Sequence, residues 1–320
     1  MNESLVISGA SGFVGQHLAA HAVARGMRVV CLARHWTTVP PEGAEAVTVR
    51  DYTDPDEVGR CIPEGASVVH LAARVPGVRS QADAFEAYAS VNTEMACAFA
   101  QAAAASKARR FVFLSTMHVN GRNSGAKPFE ESDPPNPFSN YGMSKLAAEE
   151  GLLELAAGTA MDMVIVRSPL VYGPGVKGNF ARLIRLVASG VPLPLGRANM
   201  NRRSYVGVGN LTDFLITVAT SSMGAGERFF VSDGVDVSTA ELLSTIAECV
   251  GKPLRLIPVP LGVMRAGARV LGVPGIAEQL LGNLQVDLSK SRAVFDWESS
   301  CSLRDEVRFT VGNPAGGTRN

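Results

Sequence analysis

Short apolar runs alternate with longer stretches in which apolar residues recur every three or four positions, and this alternation fills the first half of the chain. Leu5-Val6-Ile7-Ser8 predicts a strand, and residues 13–25 carry Val14, Leu18, Ala22 and Val23 along one helical stripe. Residues 27–33 predict the next strand. Further strands are expected at 46–49, 67–71, 110–114 and 161–167, and helices at 80–107 and 138–157. Strands that alternate with helices specify an α/β fold built on a doubly wound, mainly parallel sheet covered on both faces. Such sheets gather ligands at the C-terminal ends of their strands. Gly9, Asp51, His70-Leu71, Ser115-Thr116 and Pro169 fall at those ends.

Past residue 170 the pattern loosens. Helices are expected at 179–189, 211–220 and, opened by Ser238, 239–250, with a strand at 228–232. Residues 256–276 are apolar but broken by Pro258, Pro260, Arg265, Arg269 and Pro274, which predicts a short helix packed into a small domain rather than a membrane contact. The expected division is a nucleotide-binding domain over 1–170, completed by about 200–225, and a smaller α/β substrate domain over 171–199 and 226–311. Residues 312–320 read as a frayed end.

Size and charge narrow the function. A chain of 320 residues, 46% hydrophobic and 19% charged, has material for both domains. Thirty basic residues balance thirty acidic ones, which argues against nucleic acid or an acidic membrane as the main partner. Cys31, Cys61, Cys97, Cys249 and Cys301 stand in no metal-ligand spacing and read as reduced thiols, with no metal expected. No apolar run is long enough to span a bilayer, and the first strand begins almost at the N-terminus with no leader before it. A cytoplasmic protein is expected.

Two stretches carry chemistry. Gly9-x-x-Gly12-x-x-Gly15 sits where the first strand turns into the first helix. Glycines there let the backbone turn tightly and approach a pyrophosphate, whose charge the helix N-terminus stabilises. Tyr141 and Lys145, four residues apart, stack on one face of the expected helix 138–157. An ammonium ion beside a phenol favours its ionisation, which brings a group that normally titrates near ~10 toward use as an acid or base.

These stretches occur in order with His70-Leu71-Ala72-Ala73, Asn92, Ser115-Thr116 and Val171-Tyr172-Gly173-Pro174. The combination resembles the extended short-chain dehydrogenase/reductase family, the group of the UDP-glucose 4-epimerases and the sugar-nucleotide dehydratases and reductases. The resemblance covers nearly the whole chain and implies a Rossmann sheet. It makes Tyr141 the general acid/base and Lys145 the residue that lowers its pKa and binds the nicotinamide ribose, both touching the cofactor. Thr116 would hold the reacting sugar oxygen, with Ser115 assisting or replacing it. Cofactor contacts are implied for Gly9, Ser11, Gly12, Phe13, Val14, Gly15, Arg34, Asp51, Tyr52, Leu71, Ala72, Ala73, Asn92 and Pro169. Substrate contacts are implied for Thr116, Met117, Asn179 and Arg203. Helices 81–107 and 138–157 resemble those that form a four-helix homodimer interface.

Three departures from the family pattern refine this reading. Thr116-Met117-His118 stands where 4,6-dehydratases carry Thr-Asp-Glu, so the acid and base for water elimination are missing. No carboxylate follows the second strand, and Arg34 there suits a 2′-phosphate, which favours NADP(H) over NAD(H). Pro169-Leu170 and the segment 282–287 resemble bacterial sugar-nucleotide 4-ketoreductases, while the family's distal diphosphate arginine is absent near Ala277. The leading expectation is therefore an NADP(H)- or NAD(H)-dependent reductase of a UDP-linked 4-keto-hexose in bacterial-type surface polysaccharide synthesis. A UDP-hexose 4-epimerase with tightly bound NAD is the alternative, and a non-catalytic nucleotide sensor or scaffold is the reading from another class.

Overall fold

The computed structural model describes residues 3–76, 84–272 and 274–312. Seven parallel strands among the described residues form one sheet: β1 (Ser4–Ser8), β2 (Arg28–Ala33), β3 (Ala44–Thr48), β4 (Ser67–His70), β5 (Arg110–Thr116), β6 (Asp162–Ser168) and, after the short β7 (Leu170–Tyr172) and β8 (Tyr205–Gly207), β9 (Glu227–Phe230). Their order is β3-β2-β1-β4-β5-β6-β9, while β7 and β8 pair in parallel with each other. The reversal of strand order beside β1 opens the crevice in which doubly wound sheets bind nucleotides.

Helices α1 (Phe13–Ala24), α2 (Pro55–Gly59), α3 (Phe85–Ala89), α4 (Met95–Ala105), α5 (Asn140–Ala157), α6 (Gly178–Ala188) and α7 (Val208–Thr220) follow in chain order. Successive side chains of a strand face opposite sides, and the core divides accordingly. Leu5 and Ile7 pack with Leu18 and Ala22 of α1 and Leu211, Phe214 and Leu215 of α7. On the other face Val6, Val68, Phe111 and Phe113 pack with Ala96 and Phe99 of α4 and Ala148 and Leu152 of α5.

The remaining helices are α8 (Thr239–Val250), α9 (Leu261–Val270), α10 (Pro274–Leu281), α11 (Ser289–Phe295) and α12 (Leu303–Gly312). Tyr172, Phe180, Leu242, Leu243, Ile246 and Val307 form a third buried cluster, away from the sheet. Ser238 and Glu241 cap α8 reciprocally, as the sequence at its start dictates.

Three expectations shift. The helix expected over 80–107 is α3, a π-turn over Ser90–Glu94 and then α4, with residues 80–83 outside the described residues. Helix α7 begins at Val208 because the Gly207 amide is held by Asp233 Oδ1 at 2.8 Å, which ends β8 there. The apolar segment 256–276 is not one packed helix. Helix α9 sets Leu261 and Met264 against the third cluster and has no buried residue. Among the described residues, no helix is long and apolar enough to cross a membrane.

Candidate active site at the C-terminal strand ends

The turn out of β1 is built for close approach. Gly9 has a φ of +71°, and a Cβ there would come 2.7 Å from the Ala72 amide nitrogen. A Cβ on Gly15 would lie 2.4 Å from the Gly9 carbonyl oxygen, so any side chain would push α1 off β1. Gly12 takes the N-cap position with no side-chain cap, which leaves the first amides of α1 pointing at the crevice. This cradle fits a dinucleotide pyrophosphate. Ser11 borders it, with its carbonyl accepting from Gln16 Nε2 at 2.8 Å. Phe13 meets His17 edge-on, and Val14 packs into the core under α1. Leu71 continues the far wall, its amide donating to the Ser8 carbonyl at 3.1 Å, and Ala72 and Ala73 follow.

The expected adenine side is mixed. Arg34 is exposed at the end of β2. The Asp51 carboxylate accepts from the Thr53 hydroxyl and amide, and these bonds hold it below the usual carboxylate range. Tyr52 is a core residue, its ring 5.4 Å from that of Phe99, and burial pushes its phenol up to about 12. Pro169 is buried between β6 and β7.

Ser139 caps α5 by accepting from the Gly142 amide at 3.1 Å, and this fixes the phase of the helix. Tyr141, Lys145 and Glu149 then fall on one face. The Lys145 ammonium lies 3.7 Å from the Phe113 ring centroid, and burial brings it down to about 7 against the opposing pull of Glu149. Glu149 is fully buried and accepts from Ser115 Oγ at 2.5 Å, from Arg167 Nη2 at 2.6 Å and from Arg228 Nε at 3.2 Å. Arg167 Nη1 also donates to Asn120 Oδ1 at 3.0 Å. Ser115, expected as a catalytic assistant, is thus committed to Glu149, because it shares the α5 side of β5 with Phe113.

Tyr141 departs from the expected downward shift. Burial first, then the Tyr88 phenol whose ring centroid lies 6.2 Å away, push it up to about 12. The Lys145 ammonium rests on the Phe113 ring and does not counter this shift. Thr116 caps the short turn Met117–Val119, accepting from the His118 amide at 3.3 Å. A Cβ on Gly142 would stand 3.0 Å from the His118 carbonyl, so the residue after Tyr141 closes directly on the exit of β5. Met117, expected to touch substrate, is instead buried with Phe230, Leu284 and Val286.

Asn92 lies inside the π-turn, a feature common at functional sites. Its Oδ1 accepts from the Arg74 amide at 2.8 Å, and its Nδ2 donates to the Arg74 carbonyl and to Ser144 Oγ, each at 3.0 Å. Ser144 Oγ donates in turn to the Tyr141 carbonyl at 2.9 Å. Asn92 therefore ties the segment after β4 to α5.

On the substrate side, Arg203 Nη1 donates to the Gly282 carbonyl at 3.0 Å, and Asn179 Nδ2 donates to Gln279 Oε1 at 3.1 Å. Burial, with the charges of Arg203 and Arg122, brings His118 down to about 4, so it is neutral at pH 7 and holds no proton to donate as an imidazolium. Arg122, whose guanidinium lies 5.1 Å from the Phe138 ring centroid, was not singled out by sequence reasoning. Neither was Glu149, although its spacing of four from Lys145 was a usable signal. Among the described residues no cluster could hold a metal ion, and the five cysteines are free thiols.

A parallel sheet with a glycine elbow on β1, and a half-buried tyrosine one turn from a buried lysine, suits a nicotinamide-dependent oxidoreductase. Residues 5–232 match the profile of the NAD dependent epimerase/dehydratase family, and the chain belongs to that family. It is an NAD-dependent enzyme of the nucleotide-sugar epimerase and oxidoreductase class. The chain is similar to a UDP-glucose 4-epimerase of Vibrio cholerae, 35% identical over 314 residues that cover 97% of this chain and 95% of the relative. It is also similar to the N-acetyl-alpha-D-glucosaminyl-diphospho-ditrans,octacis-undecaprenol 4-epimerase of Escherichia coli O157:H7, 29% identical over 82% of this chain and 78% of that protein. The solved UDP-glucose 4-epimerase of Thermus thermophilus, a complex with NAD, superposes with a TM-score of 0.77 at 25% identity, covering 97% of this chain and 98% of that one.

Proposed function

We propose that the protein interconverts the C4 epimers of a UDP-linked hexose while retaining its NAD. The observation that carries this reading is the end-to-end likeness to the Vibrio cholerae UDP-glucose 4-epimerase, in a chain that keeps Thr116, Tyr141 and Lys145. Gly9, Gly12 and Gly15 would hold the pyrophosphate of NAD, and Lys145 its nicotinamide ribose. NAD, when bound, supplies a hydride acceptor at C4 and then a donor. Tyr141 takes the proton of the 4-hydroxyl and later returns it, and Thr116 holds that oxygen within reach. Phe113 seats the Lys145 ammonium and the charge of Glu149 attracts it, and the buried walls exclude water. Arg203 and Arg122 bring two guanidinium groups to the side where a substrate diphosphate would lie, a match that suits their fork of donors.

Protein purified without added nucleotide should release NAD on denaturation and convert UDP-glucose to UDP-galactose with no added cofactor. Stoichiometric oxidation of added NADPH by a UDP-4-keto sugar, without epimerisation, would instead establish the second reading, a 4-ketoreductase. Arg34 favours that reading, since it stands exposed after β2 where a 2′-phosphate would lie. If Tyr141→Phe left every such turnover unchanged, the protein would be a nucleotide sensor or scaffold instead. A role in surface polysaccharide synthesis in the cytoplasm accords with either enzyme.

The division proposed is a nucleotide-binding lobe over 1–170 with about 200–225 and a substrate lobe over 171–199 and 226–311, from which β9 returns to the main sheet and Phe229 and Trp297 to its core. A homodimer through α4 and α5 is also proposed, and a monomer by sedimentation at micromolar concentration would refute it.

A further inference from the structure

Net charge conceals a one-sided segment. Between Glu248 and Glu278 the chain has four cationic residues, Lys252, Arg255, Arg265 and Arg269, and no acidic one. All four are exposed, and among the described residues none makes an ion pair. Helix α9 lies in this segment. Leu261, Met264 and Ala268, spaced three and four apart, form its inner stripe. The outer face is Gly262, Val263, Ala266, Gly267 and Val270, continued by Leu271, with no polar side chain on it.

The relative exposure of Val263 is 60%, of Val270 88% and of Leu271 77%, and that of nearby Ile257 is 48%. Surface helices ordinarily turn polar residues outward, and a helix apolar on both faces has something to cover it. Arg265 and Arg269, one turn apart, border the bare face.

We propose that α9 docks this face onto an anionic lipid bilayer, lying in the interface with its arginines among the headgroups. The charge pattern selects this occupant. Apolar side chains flanked by arginines without carboxylates match the chemistry of an anionic membrane surface. A second copy is the poorer match, because a two-fold pairing of α9 would set Arg265 and Arg269 against their own counterparts with nothing to neutralise them. The helix is far too short to span, so the contact is peripheral and reversible.

Vesicle co-sedimentation of the full chain tests this. Wild type should partition onto vesicles of phosphatidylglycerol mixed with phosphatidylcholine roughly tenfold more than onto phosphatidylcholine alone. The triple variant Val263→Ser, Val270→Ser, Leu271→Ser should lose most of that binding, while its turnover of a water-dissolved substrate stays unchanged because these side chains are mostly exposed and lie outside the candidate site. Arg265→Gln with Arg269→Gln should abolish the preference for anionic lipid. Equal binding to both vesicle types, or a serine variant that binds as well as wild type, overturns the proposal. So does sedimentation velocity in which wild type self-associates and the serine variant does not, since a second copy would then be the cover.

Discussion

The two lobes proposed above hold their candidate side chains by opposite means. In the nucleotide-binding lobe, Gly9, Leu71 and Thr116 leave adjacent strands of one sheet, whose registers run without interruption from β1 through β4 to β5. Lys145 rests on Phe113 of that sheet, and Glu149 on the same helix is tied to it through Ser115, Arg167 and Arg228. On the facing side Arg203 is held by two residues of the substrate lobe, through single bridges to Val237 and Leu284, and Asn179 depends on a side chain of α10. A continuous sheet makes chemistry and stability one property. Isolated bridges leave recognition adjustable without unfolding the protein.

That contrast can be broken or sharpened. Tyr141→Phe should lower kcat roughly a thousandfold, within the span of general acid–base contributions, and leave the thermal midpoint nearly unchanged, since the ring packing stays. Glu149→Gln should cost about 3 kcal/mol in denaturant unfolding, because Arg167 and Arg228 lose their buried counter-charge. It should also lower kcat by shifting Lys145. A variant that loses stability yet keeps full activity would uncouple the two properties in this lobe.

Arg203→Lys should raise KM about tenfold, with kcat and stability little changed, because an ammonium cannot reproduce the planar fork. A collapse of stability there would show that the second lobe is as tightly coupled as the first. At neutral pH the smallest effect is that of the histidines, which is felt only in acid. The folded-state pKa of His118 is about 4 and that of His70 about 3, both below the ordinary 6.5, so the unfolded chain takes up these protons first. Stability is therefore lost as pH falls from 6.5 toward 4 and 3. His118→Gln should make the thermal midpoint fall less steeply between pH 6.5 and 4, with His70 supplying the remaining slope.

Period and spacing reveal the sheet because its strands are wholly buried and its helices keep one apolar face. They also single out Gly9, Gly12, Gly15, Tyr141 and Lys145, whose placement depends on local geometry. What they miss depends on contacts distant in sequence. Met117 reads as a ligand-facing loop residue, but its fate is decided by Leu284 and Val286. Ser115 and Thr116 are indistinguishable until Glu149 claims one of them. Tyr141 reads as a phenol eased by its lysine, yet burial beside Tyr88 outweighs that help. The break between α3 and α4 is set by what Asn92 must reach across to Arg74 and Ser144, and alanine-rich periodicity contains no trace of it. Even charge misleads when totalled, because thirty against thirty hides a segment with four cations and no anion.

The carbonyl of Gly282 receives Arg203 Nη1 at 3.0 Å and Asn201 Nδ2 at 3.5 Å. A main-chain oxygen is the same whichever amino acid supplies it. Replacements elsewhere along α10 can therefore accumulate over generations without re-aiming the guanidinium. Under the proposed function, a lineage explores new sugars by repainting that helix while the guanidinium stays in calibration.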